Sequence, residues 1–157
     1  VSKKDVGKQF EDEFRASIPN DWYVERYKDD TAGFHGVSNP ADFRIYKYPY
    51  LMLLELKSTK GKSLPFSRIR DNQLKGMLKA IKHDGIYGGF VINYRDLAET
   101  YYIPVELVAN YKAMNDRKSI PVDWCREWGT KLEQELKRVR YKYDLESWLG
   151  RYKSEKV

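Results

Sequence analysis

Leu51-Met52-Leu53-Leu54 is the segment that most restricts what this chain can become. Four consecutive apolar residues, entered from Tyr50 and closed by Glu55-Leu56-Lys57, leave a strand with no polar face, because neighbouring side chains point to opposite sides. Such a strand needs a sheet covered above and below, which calls for helices on both faces. The rest of the chain supplies them. Val6, Phe10, Phe14 and Ile18 recur every four residues and draw the stripe of a first helix, stopped by Pro19-Asn20-Asp21. Residues 22–27 read as a strand, and 28–39 as a polar, glycine-containing loop closed by Pro40. Residues 42–46 and 50–57 read as two strands joined through Lys47-Tyr48-Pro49. A second helix is expected over 70–83, with Leu74, Met77, Leu78 and Ile81 inward and Gly85 as its C-terminal cap. Strands over 86–94 and 100–103 follow, and Pro104 opens a short helix. Trp128, Leu132, Leu136 and Val139 predict a long basic helix from about 123 to 143. The expected architecture is α/β, a central mixed five-stranded sheet flanked by helices. It forms one domain over 1–157, with a core over about 5–113 and a helical extension over about 123–152.

Charge narrows the partners. Lys and Arg number 29 against 23 Asp and Glu, a net +6 with a pI near 9.2, which suits a polyanion such as nucleic acid. Aromatic residues interleave with the basic ones, as in Arg26-Tyr27-Lys28 and Arg140-Tyr141-Lys142-Tyr143, although most such rings serve packing. No apolar run approaches the roughly 20 residues that span a bilayer, so no membrane partner is expected. The Val1-Ser2-Lys3-Lys4-Asp5 start lacks a secretory apolar region, and the lone Cys125 can form no internal disulfide. A reducing, cytoplasmic setting is expected. His35 and His83 lack ligand spacing, and one thiol is too few for structural zinc.

The chemistry concentrates at Pro40-Ala41-Asp42 and Glu55-Leu56-Lys57. Glu55 and Lys57 are i and i+2 in a strand, so both leave the sheet on one face while Leu56 leaves on the other. The hairpin through Pro49 can return Asp42 to Glu55. Two adjacent carboxylates raise each other's pKa, and a hard divalent cation between them relieves the repulsion. Such an ion would hold a phosphodiester and acidify a water, with Lys57 orienting that water or neutralising charge in the transition state. Acid-x-Lys triplets arise by chance about once in a chain this long. This one has three, the others being Asp116-Arg117-Lys118, in a polar loop, and Glu135-Leu136-Lys137, downstream of Pro121-Val122-Asp123. The last is set aside because helical periodicity would put Glu135 and Lys137 on different faces. Only Glu55-Leu56-Lys57 ends a buried strand.

These residues resemble the signature of PD-(D/E)-x-K nucleases, and the stretch from Pro40 to Pro104 resembles the RecU-type Holliday junction resolvases. The likeness rests on the Asp42…Glu55-x-Lys57 spacing and on Lys57-Ser-Thr-Lys-Gly-Lys62 leading to Leu64-Pro65-Phe66. It extends to Gln73-Leu74 and to His83-Asp84-Gly85 before a strand. Gly7-x-x-x-Glu11 is similar both to this family and to the archaeal Hjc resolvases. The resemblance implies a restriction-endonuclease-like fold, Mg²⁺ or Mn²⁺ as cofactor, and a homodimer nicking symmetric strands of four-way DNA junctions. It makes Asp42, Glu55, Lys57 and Glu11 catalytic. The expected metal set is Asp42, Glu55, the Leu56 backbone carbonyl and, through water, Glu11. Gly7 would permit close helix approach, and Gln73 would contact the DNA backbone or Lys57. Lys60, Lys62, Arg68, Arg70 and Lys75 would touch phosphates. RecU proteins carry a long basic protrusion before the catalytic aspartate, whereas here only residues 28–39 occupy that place. So compact a version fits a phage-encoded or Hjc-like resolvase in a bacterial or phage-infected cell. The alternatives are a sequence-specific or general endonuclease on the same core and a non-catalytic DNA-binding module.

Overall fold

The computed structural model describes residues 3–27, 41–114 and 116–155. In chain order they form α1 (Lys3–Ser17), β1 (Tyr23–Arg26), β2 (Phe43–Lys47), β3 (Tyr50–Thr59), β4 (Ser63–Pro65), α2 (Asp71–Ala80), β5 (Ile86–Tyr94) and β6 (Glu99–Pro104). There follow α3 (Val105–Met114), β7 (Ser119–Pro121), α4 (Val122–Trp128), β8 (Thr130–Lys131), β9 (Gln134–Lys137), β10 (Arg140–Tyr143) and α5 (Leu145–Glu155). The main sheet runs β1-β2-β3-β5-β6-β8, six strands where five were expected. It is mixed, as read: β3 and β5 are parallel and the other neighbours antiparallel. A parallel neighbour needs a long crossover, and the segment carrying β4 and α2 provides it.

Both faces of the central strands are covered, as the Leu51–Leu54 run requires. On one face Leu53, Phe90, Ile92 and Ile103 meet Leu74 and Met77 of α2, Val105 and Val108 of α3, and Val122 and Cys125 of α4. On the other, Phe43, Met52, Leu54, Val91 and Tyr102 meet Phe10, Phe14 and Ile18 next to Leu145, Trp148 and Leu149 of α5. Glu55 and Lys57 share the parity of Leu53 and so leave on the α2 side.

Three expectations need correction. Among the described residues the long C-terminal helix is absent; its place is taken by α4, the short strand β8 and the β9–β10 hairpin. Leu132 alone of the supposed lower stripe is buried, while Trp128, Leu136 and Val139 are 55%, 55% and 79% exposed. Gly129 ends α4, where a Cβ would strike the Ile103 side chain and lie 2.7 Å from the Cys125 carbonyl. Beyond it the β-branched and aromatic residues favour strands. The second correction concerns Gly7, whose added Cβ would meet nothing within 4 Å, so among the described residues no helix approaches it closely. Third, α2 stops at Ala80, and Gly85 instead turns the chain into β5 at φ +84°, its carbonyl accepting the Leu51 N–H at 2.8 Å.

Candidate active site

The antiparallel register pairs Phe43 with Leu54, so the next step brings Asp42 opposite Glu55. The two carboxyl groups lie within hydrogen-bonding reach of each other. Asp42 Oδ2 also accepts the Leu56 N–H at 2.8 Å. Glu55 Oε1 accepts the Gln73 side-chain amide at 2.9 Å and lies 3.3 Å from Lys57 Nζ. One strand end, one returning hairpin and the first turn of α2 therefore converge on a single point.

That point is expensive to build. Glu55 is only 5% exposed, and burial, followed by the charge of Asp42, pushes its carboxyl up to about 7 against the pull of Lys57. Burial raises Asp42 as well, opposed by the Leu56 N–H and Lys57, with the charge of Glu11 adding to the rise. Two neighbouring carboxyls that both resist ionisation are a donor set that a hard cation satisfies, and their all-oxygen character fits Mg²⁺ or Mn²⁺. Among the described residues no third His, Cys, Asp or Glu joins them in a metal-holding group.

Glu11 sits on α1 near enough for its charge to act on Asp42, and its carboxylate is ion-paired with Arg26 of β1. Arg26 escaped the sequence reading. It lies fifteen positions from Glu11, and no local pattern announces a pair made only when β1 docks beside α1. Gln73, expected to contact the DNA backbone or Lys57, is buried and turned toward Glu55, and its amide oxygen accepts the Arg70 N–H at 3.3 Å. Lys60, Lys62, Arg68, Arg70 and Lys75 are all exposed between the end of β3 and α2. Arg68 donates to the Ser58 carbonyl at 2.5 Å, which ties it to the end of that strand.

The rejected Glu135-Leu136-Lys137 triplet proves to lie on a strand, so helical geometry was the wrong ground for rejecting it. Its pair is an exposed 2.9 Å ion pair, and across the ladder Glu135 faces Lys142 rather than a carboxylate. Asp123 is on α4, paired with Arg126 at 2.7 Å. Trp124 packs on Tyr111 with ring centroids 4.4 Å apart, whereas Trp128 is exposed. His83 is exposed and bears no relation to the site, and His35 and the 28–39 loop lie outside the described residues.

Residues 34–145 match the family described as recombination protein U, RecU. The SPbeta prophage-derived uncharacterized protein YotM of Bacillus subtilis (strain 168) is 31% identical over 127 residues, covering 71% of this chain and 65% of that protein. The Holliday junction resolvase RecU of Streptococcus pyogenes serotype M1 is 33% identical over 91 residues, 56% of this chain and 44% of that protein. The chain thus spans less than two thirds of the length of these curated relatives. Among solved structures, Archaeoglobus fulgidus Hjc, a Holliday junction resolvase from an archaeal hyperthermophile, aligns with TM-score 0.49 and 15% identity. The alignment covers 70% of this chain and 82% of that one. The family match includes Asp42, Glu55, Lys57 and Gln73 but begins after α1, leaving Glu11 outside it.

Proposed function

The chain belongs to the recombination protein U family, and we propose that it is a divalent-metal-dependent endodeoxyribonuclease that resolves four-way DNA junctions, with Asp42, Glu55 and Lys57 at its reacting centre. The observation that carries this reading is the meeting of the buried Glu55, the half-buried Asp42 and an ammonium group at one strand end. Asp42, Glu55 and the Leu56 carbonyl would hold the cation, with Glu11 reaching it through water. Mg²⁺ or Mn²⁺, when bound there, supplies charge neutralisation at a phosphodiester and a more acidic water.

The chain's own residues do the rest. The Leu56 N–H fixes the Asp42 carboxylate, and the Gln73 amide fixes the rotamer of Glu55. Lys57 presents its ammonium within 3.3 Å of Glu55, where it orients the attacking water or offsets charge growing on the phosphate oxygens. Arg26 holds Glu11 at the margin. Lys60, Lys62, Arg68, Arg70 and Lys75 position DNA through its backbone without reading sequence. A four-way junction has two equivalent strands to cut, so the working unit is a homodimer with one such centre per copy. Its setting is the cytoplasm of a bacterial or phage-infected cell; among the described residues no helix is long and apolar enough to cross a membrane.

The test compares cleavage of a four-way junction with that of linear duplex of matched sequence, in Mg²⁺ with and without chelator. Junction cutting should exceed duplex cutting and stop on chelation; equal rates would replace the resolvase reading with a general endonuclease. Asp42→Asn should abolish cleavage while leaving junction binding within about twofold, since it removes a metal ligand and no phosphate contact. Undiminished cutting by that variant would remove Asp42 from the mechanism.

A further inference from the structure

The β9–β10 hairpin is built in a way that its own folding does not require. Lys137 and Arg140 pair across its mouth, leaving Arg138-Val139 as a two-residue turn. Two-residue hairpin turns call for positive φ, which Gly or Asn adopts easily. Arg138 holds φ +60° instead, so an arginine stands where the backbone disfavours it. Its neighbour Val139 is 79% exposed at the very tip. An unfavourable backbone carrying an exposed apolar residue and a long cation points to selection for something outside the fold.

Charge indicates what that is. The hairpin holds four cations against the single carboxylate of Glu135, which amounts to half of the net +6 of the chain. Glu135 is taken by Lys137, and neither Arg138 nor Arg140 has an ion pair among the described residues. The hairpin is also rigidly held. Glu13 accepts the Tyr141 N–H at 2.7 Å and pairs with Arg95, while Ser17 Oγ accepts the Tyr143 N–H at 3.0 Å. Its tip lies against the first half of α1, where Val139 and Arg140 line a hollow with Lys8, Gln9 and Asp12. Glu11, whose charge acts on Asp42, is on that same stretch of helix. The tip therefore stands beside α1, the helix that carries Glu11 to where its charge acts on Asp42.

We infer that the β9–β10 hairpin is a second DNA-backbone contact, a fixed prong whose Arg138 and Arg140 bind phosphates on the α1 side of the site, opposite the basic residues near α2. Val139 between them meets deoxyribose carbons rather than water. The inference rests on the nuclease reading for its choice of DNA as the polyanion, but it is tested by binding alone.

The experiment measures affinity for a four-way junction and a matched duplex in chelator, where no cleavage occurs, across a range of salt. The Arg138→Ala/Arg140→Ala variant should bind both DNAs about tenfold more weakly, and the slope of log K against log salt should shrink by about 1.8, the loss of two phosphate contacts. Arg138→Gly separates folding from binding: glycine suits the left-handed backbone, so its unfolding midpoint should not fall, yet its salt slope should drop by about 0.9. Affinity and slope unchanged in both variants would overturn the inference and leave the prong to an acidic protein partner. Failure of the nuclease reading would look different, as salt-dependent binding that still needs the hairpin without cleavage in Mg²⁺.

Discussion

Glu55 is buried against another carboxylate, with Lys57 and the Gln73 amide to receive its charge, and this fixes how the metal-free protein responds to pH. Its carboxyl titrates near 7 in the folded chain, against an ordinary value of 4.5. Between those values the folded state holds a proton that the unfolded state has lost. The stabilisation is therefore complete below about pH 4.5 and disappears as pH rises through 7, by at most about 3 kcal/mol. Glu55→Gln removes the ionisation but keeps an oxygen for Gln73. It should raise the thermal midpoint of the metal-free protein at pH 8, while Mg²⁺ should stabilise the natural chain at that pH and not the variant. Thermal melts with and without chelator check both; a variant that melts lower at pH 8 would contradict the strain assigned to this carboxylate. The Asp42–Glu55–Lys57 group was legible in the sequence because strand parity and a short hairpin determine it. The Glu11–Arg26 pair and the grip of Gln73 on Glu55 were not, since each joins elements that only the tertiary fold brings together.

At the level of elements, the described residues up to 114 follow their periodicities closely, because each apolar stripe or run there has a covering partner nearby in sequence. The C-terminal third misleads for a physical reason. Trp128, Leu132 and Leu136 happen to fall four apart, yet Gly129 closes the helix under Ile103, and Tyr141 and Tyr143 alternate as a strand does. What turns this segment into a hairpin is its dock on α1, and Glu13 is the fastening. Its side chain is fully buried, paired with a nearly buried Arg95 and accepting the Tyr141 N–H. Glu13→Ala strands both partners. Breaking a buried pair in this way costs about 3–5 kcal/mol, so denaturant unfolding should show a loss of that size. If the hairpin also holds phosphates, the same variant should bind DNA more weakly than its residual fold accounts for, whereas a loss of no more than about 0.5 kcal/mol would mean that the hairpin is held by its aromatic contacts alone.

For the whole molecule, the proposed junction resolution requires one small basic domain to deliver two cuts. A single chain carries one Asp42–Glu55 pair, and a junction opened on one strand only is nicked, not resolved. Two copies related by a two-fold axis match the symmetry of the four-way junction and put a centre at each equivalent strand. The net +6 of each copy, doubled in such an assembly, favours staying on the DNA between cuts at low salt and favours release as salt rises. A supercoiled plasmid that extrudes a cruciform distinguishes the cases. The first nick relaxes the supercoiling, the cruciform is reabsorbed, and the second site vanishes unless the enzyme is still seated with its other centre in place. A dimer acting within one binding event should therefore yield linear plasmid as the main product at low salt, shifting toward nicked circles as salt shortens its stay. Nicked circles alone at every salt concentration would mean that the copies act separately, whatever their mass in solution. Mixing the natural chain with Asp42→Asn sharpens the outcome, because a mixed dimer has one working centre and can only nick; the nicked fraction should rise with the share of variant and the linear fraction fall as the square of the natural share.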